Sequence, residues 1–182
     1  MPRKSFPQFI IISGSGKKVG KTYLAVDLIR SFSGKFPLLA LKVSPHLHDS
    51  LGNSMLVDSS EGIRIFQDRT PHTKNSGKFL EAGATQSFFM ETDDEHLAEA
   101  FERFMKECNP HNDPVIVESG ALGNLIKPGL LIFISSPAEL TGEVKLKTMN
   151  MADLVLPARI FDPGKISEQI GFSENRWHLV TG

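Results

Sequence analysis

The sequence predicts an α/β fold with a mostly parallel sheet and helices on both of its faces. Three observations predict it. Short runs that are apolar throughout, at residues 10–12, 114–117 and 130–134, fit strands buried on both sides. Segments with helical spacing of apolar residues alternate with them, as sequential strand and helix layers require. The first apolar run also passes directly into a glycine-bearing bend and then an amphipathic helix.

The elements follow in chain order. Ile10, Ile11 and Ile12 form the first strand. Leu24, Leu28, Ile29 and Phe32 recur at helical spacing, and Gly34 stands where a helix stop belongs. Residues 36–43 read as a buried strand ended by Pro45 and His46, and residues 55–57 and 63–66 read as a β-hairpin around Asp58 to Gly62. A polar connection at 68–75 precedes a short helix after Ser76 and a strand at 85–90. The run Thr92-Asp93-Asp94-Glu95 has capping-box spacing, and Leu97, Phe101, Phe104 and Met105 supply the apolar face of the helix behind it. Two central strands then end at Glu118 and at Ser135-Ser136-Pro137. The remainder reads as a helix at 139–150, a strand at 154–157, a short helix at 165–170 and a last edge strand at 177–180.

Bulk properties narrow the class. A chain of 182 residues fits one domain over 1–182 with a sizeable core. A formal net charge of −1 gives no overall attraction to nucleic acid or to an anionic membrane, so any positive site must be local. The single cysteine, Cys108, excludes an internal disulfide and fits a reducing compartment. Arg3 and Lys4 precede an apolar run as in a secretory signal, but that run ends in the glycine bend, and no apolar stretch approaches bilayer length. The expectation is a cytoplasmic protein.

The chemistry concentrates in Gly14-Ser15-Gly16-Lys17-Lys18-Val19-Gly20-Lys21-Thr22. Gly14, Gly16 and Gly20 let the main chain approach phosphate oxygens and turn its N–H groups inward. A helix N-terminus adds unpaired N–H groups and a favourable dipole. This is the arrangement of a P-loop NTPase, in which Lys21 reaches the β- and γ-phosphates and Thr22 ligates Mg²⁺. Lys17, Lys18 and Val19 complete the candidate nucleotide-binding segment. The usual pattern GxxxxGK[ST] has its first glycine where this chain has Ser15, and the glycine stands one residue earlier, at Gly14.

Glu118 is the candidate second Mg²⁺ contact, or else a solvent-facing acid at a strand end. Lys42 ends another strand on the same edge, either to meet a phosphate, a substrate carboxylate or Glu118, or as a snorkelling lysine. His46, His48 and Asp49 form a loop suited to a metal, to substrate contact or to neither. Ser135-Ser136-Pro137 and Leu156-Pro157-Ala158-Arg159 are the strand-end loops available to hold a base. An NKxD guanine-reading motif and a CxxC pair are absent from the sequence, and no Ser/His/Asp arrangement suggests itself.

With these residues in place, the chain resembles the molybdopterin-guanine dinucleotide biosynthesis adaptor B family of P-loop proteins. The resemblance is carried by Gly14 to Thr22, Leu41-Lys42 with His46 and His48, Lys74-Asn75-Ser76 leading to Ala82-Gly83-Ala84, and Val117-Glu118-Ser119, over about two-thirds of the chain. It implies GTP binding with weak hydrolysis, a role in molybdenum-cofactor maturation beside a cofactor-biosynthesis enzyme, and a homodimer. The loop itself is similar to that of dethiobiotin synthetases, GTDTxVGKT, with Val19 and the same spacing from Gly14 to Thr22; Lys42 and Val117-Glu118-Ser119-Gly120-Ala121 also resemble that family's strand-end Lys and Val-Glu-Gly-Ala-Gly. That likeness implies an ATP-dependent ligase acting on a small carboxylated or amino substrate.

Overall fold

The computed structural model describes residues 2–45, 54–72, 76–108 and 110–180. Its centre is an eight-stranded sheet of β1 (Lys4–Gly14), β2 (Leu39–Ser44), β3 (Ser54–Ser60), β4 (Ile63–Asp68), β5 (Gln86–Thr92), β6 (Val115–Glu118), β7 (Ile126–Ser135) and β8 (Leu154–Pro157), in the order β3-β4-β5-β2-β6-β1-β7-β8. From β5 to β8 all neighbours are parallel; β3 and β4 add an antiparallel hairpin at one side. The parallel strands therefore end on one edge, at Gly14, Ser44, Thr92, Glu118, Ser135 and Pro157. Ligands in open α/β sheets bind along that edge.

Alternation along β1 divides the core between the two faces. Ile10 and Ile12 point to the face covered by α1 (Lys21–Phe32), α2 (Gly77–Glu81) and α6 (Pro163–Glu168). Phe9 and Ile11 point to the other, covered by α3 (Leu97–Cys108) and α4 (Leu122–Leu125), with α5 (Glu143–Asn150) beside them. The strands are buried on both faces, which explains their uniformly apolar sequences. Among the described residues no helix is long and apolar enough to cross a membrane.

Several expectations need correction. Trp177 lies on a strand, β10 (Arg176–Leu179), but this pairs antiparallel with β9 (Ile170–Ser173) in a separate ribbon instead of extending the large sheet. Burial of the indole decides this: Trp177 is fully buried edge-on to Phe32, with ring centroids 5.0 Å apart, and its Nε1 donates to the Gln8 carbonyl at 2.9 Å. Ile170 thus belongs to the ribbon, and α6 starts earlier, at Pro163, behind Asp162, whose side chain accepts the Gly164 N–H at 3.0 Å. Phe36 and Pro37 lead into β2 without joining it, and Phe36 packs on Phe172 with centroids 5.3 Å apart.

β7 begins four residues before the apolar run at 130–134, because its first half pairs with the N-terminal half of β1 across a register shift. Asp93, not Thr92, supplies the cap before α3, accepting the His96 N–H at 2.9 Å, while Thr92 ends β5. Finally, α5 starts at Glu143, which leaves Glu139 in the turn that precedes it.

Candidate functional site

The loop between β1 and α1 is fixed to the end of β7 by the backbone and the side chain of Ser15. The Ser15 N–H donates to the Ile134 carbonyl at 3.0 Å, and the Ser15 hydroxyl accepts the Ser136 N–H at 2.8 Å. Ser15 is fully buried, so the residue that breaks the usual glycine pattern ties the loop to the end of β7. Gly14 is needed one position earlier: a Cβ there would lie 2.8 Å from the Ile134 carbonyl oxygen and 2.9 Å from Val19 Cγ2. Gly20 adopts φ +119°, in the region that favours glycine, and the helix follows at Lys21.

Within the loop the side chains divide. Val19 is buried in the core. Lys17 and Lys18 are exposed, and the Lys18 carbonyl accepts Arg159 Nε at 3.3 Å. Lys21 folds back over the loop and donates to the Gly16 carbonyl at 2.5 Å. Burial pushes the Lys21 ammonium below its ordinary pKa, the Glu118 carboxylate acts against that, and Lys42 adds to the lowering. A Cβ on Gly16 would need the space that the Glu139 carboxylate occupies.

Three strands bring the other predicted residues together. Ile12 of β1 pairs in register with Glu118 of β6, which pairs with Lys42 of β2. The Thr22 hydroxyl, in the first turn of α1, donates to Glu118 Oε2 at 2.7 Å. Lys42 Nζ stands 3.3 Å from both Glu118 oxygens. The Glu118 side chain is 9% exposed and that of Lys42 21%, so the pair is shielded from bulk water. Ser119 lies just before α4, its hydroxyl accepting the Leu122 N–H at 3.1 Å.

Two cavities flank this centre. One, of about 290 Å³, is lined by Val19, Ser136, Ala138, Glu139, Ala158 and Arg159, and it joins both strand-end loops expected to hold a base. The other, of about 410 Å³, reaches Val43, Thr92, Leu97, Ser119, Gly120 and Lys145. His46, His48 and Asp49 lie outside the described residues, as do Lys74 and Asn75. Ala82-Gly83-Ala84 forms the turn between α2 and β5, where Ala82 and Ala84 are buried in the core and Thr85 N–H donates to the Leu38 carbonyl, at the opposite edge of the sheet. Those residues shape the fold.

Glu139 and Ser15 were not legible as site residues. Each meets its partner more than a hundred residues away, Ser136 for Ser15 and Gly16 for Glu139.

Comparisons with protein-family models, with curated proteins and with solved structures return no match for this chain. Its chemistry therefore rests on its own geometry. Thr22 and Glu118 offer a hydroxyl and a carboxylate oxygen, both hard donors, at the mouth of a loop with a lysine beside it. Among the described residues no group of three or more His, Cys, Asp or Glu side chains is placed to hold a metal. A divalent cation here would complete its shell with phosphate oxygens and water, as Mg²⁺ commonly does.

Proposed function

We propose that this protein binds a purine nucleotide as its Mg²⁺ complex through a P-loop, Gly14 to Thr22, and hydrolyses it slowly. The single observation that carries this reading is the 2.7 Å contact between Thr22 and Glu118, held beside Lys42 on adjacent strands. A strand-end acid meeting the first helical hydroxyl is a paired donor set for a cation bound with phosphates.

The residues have separate tasks in this reading. Backbone N–H groups of the loop and the start of α1 hold the phosphates. Lys21 exchanges its bond to the Gly16 carbonyl for the β- and γ-phosphate oxygens. Thr22 and Glu118 hold Mg²⁺, which when bound neutralises charge on the phosphates. The cavity at Ser136, Ala158 and Arg159 takes the base. Hydrolysis under such control relies on positioning and electrostatic stabilisation.

The wider role we propose is that of an adaptor in molybdenum-cofactor biosynthesis, which rests on the resemblance of Leu41-Lys42 and Val117-Glu118-Ser119 to that family. One observation favours a second reading. The cavity of about 410 Å³ at Ser119, Gly120 and Lys145 offers room for a second substrate, as an ATP-dependent ligase of the dethiobiotin synthetase type needs. Titration with GTP and ATP, with and without Mg²⁺, tests the shared premise. Turnover that rises when a small amino or carboxylated compound is added would favour the ligase.

A further inference from the structure

We propose that Glu139 is a built-in competing anion: its carboxylate rests on the loop over Gly16, and the phosphates of a nucleotide must displace it. The proposal rests on the P-loop reading above.

The turn that carries Glu139 is anchored at both ends. Its N–H donates to the Ser136 carbonyl at 3.0 Å, and Ser136 is itself held by the Ser15 hydroxyl at 2.8 Å. On the other side, the Glu139 carbonyl accepts Thr141 N–H and Lys145 Nζ, each at 3.0 Å. The side chain is thereby delivered to the loop. It finds room there because position 16 has no side chain, and any Cβ would need the space its carboxylate fills.

An acid over this loop is attracted by what attracts a phosphate. The N-terminus of α1 and the Lys21 ammonium both favour negative charge. Glu139 in turn favours the charged form of Lys21, in the same sense as Glu118. A phosphate entering the loop carries the same sign of charge and seeks the same donors. The two compete, and the apparent affinity for nucleotide is reduced by the fraction of molecules in which Glu139 is seated.

Glu139→Gln keeps the shape and removes the charge, and Glu139→Ala removes the group. Dissociation constants for Mg·GTP, Mg·ATP and inorganic pyrophosphate are measured on both variants, the wild type and Lys21→Ala. Tightening of about tenfold in both Glu139 variants is expected, as when the carboxylate is seated in roughly nine molecules of ten. If the wild type binds in a Lys21-dependent manner while both variants stay within about twofold of it or bind more weakly, the proposal is overturned and the nucleotide reading stands. Weakening seen only with Mg²⁺ present would make the carboxylate a metal contact and overturn it too. Absence of binding in every protein would remove both.

Discussion

Thr22 and Glu118 lie 96 positions apart in the chain and meet at 2.7 Å, the hydroxyl donating to Oε2. Parallel pairing of β1 with β6 creates the meeting: Ile12 and Glu118 are in register, and α1 begins just beyond the end of β1. Lys42 completes it from the far side of β6, so one carboxylate is held by a hydroxyl and by an ammonium.

Glu118→Gln tests what this carboxylate serves. The substitution keeps a hydrogen-bonding oxygen for Thr22 and removes the charge. We expect nucleotide binding in Mg²⁺ to weaken by about tenfold, with metal-free binding changed much less. Calorimetric titrations in Mg²⁺ and in EDTA make the comparison; equal losses in both would place Glu118 away from the metal.

Lys21 should give nucleotide binding an alkaline limit. Burial lowers its pKa, and the charged form is the one that meets phosphate. Affinity is then full at pH values below the lowered pKa and falls as pH rises through it, before ordinary lysines titrate. Binding above that point takes up a proton. Dissociation constants measured across the alkaline range should show this decline at lower pH than an ordinary lysine would give, and an affinity independent of pH across that range would separate Lys21 from the phosphates.

Ser15 is a structural residue within the loop. In Ser15→Ala the Ser136 N–H loses its acceptor, at a cost of about 1–2 kcal/mol. For a chain of this size that corresponds to a fall in Tm of roughly 2–8 °C. Thermal unfolding followed by the fluorescence of the single tryptophan, Trp177, reads it directly.

Cys108 should be inert while the protein is folded. Burial, with Glu107 nearby, pushes its thiol from 9.0 up to about 12, so little thiolate exists near neutral pH. Iodoacetamide should label it slowly in buffer and rapidly in denaturant. The sign for stability follows: this contribution is present below pH 9.0 and is lost as pH rises from there toward about 12.

Much of this architecture was readable from local pattern. The strand, loop and helix from Ile10 to Phe32 announce themselves, since a β-branched run, a glycine bend and 3.6-residue periodicity all act locally. Glu118 and Lys42 were readable as strand-end residues, and their contact follows once the parallel order is known. What escaped the sequence was set by tertiary packing. The β9–β10 ribbon exists because Trp177 is buried between Phe32 and Phe172, which no local pattern announces. Residues 126–129 were hidden because Lys127, Pro128 and Gly129 obscure a strand that pairing with β1 imposes. Glu139 looked like the first turn of a helix, whereas a tight turn at Ser136 to Glu139 aims it at Gly16.

The central claim, that Gly14 to Thr22 grips the phosphates of a nucleotide, is tested most directly by titrating Mg·GTP and Mg·ATP into the wild type and Lys21→Ala. The account predicts saturable binding to the wild type by at least one of the two, weakened by at least about tenfold in the variant, as the loss of a charged hydrogen-bonding group implies. Absence of binding to the wild type, or equal affinity in both proteins, would contradict it.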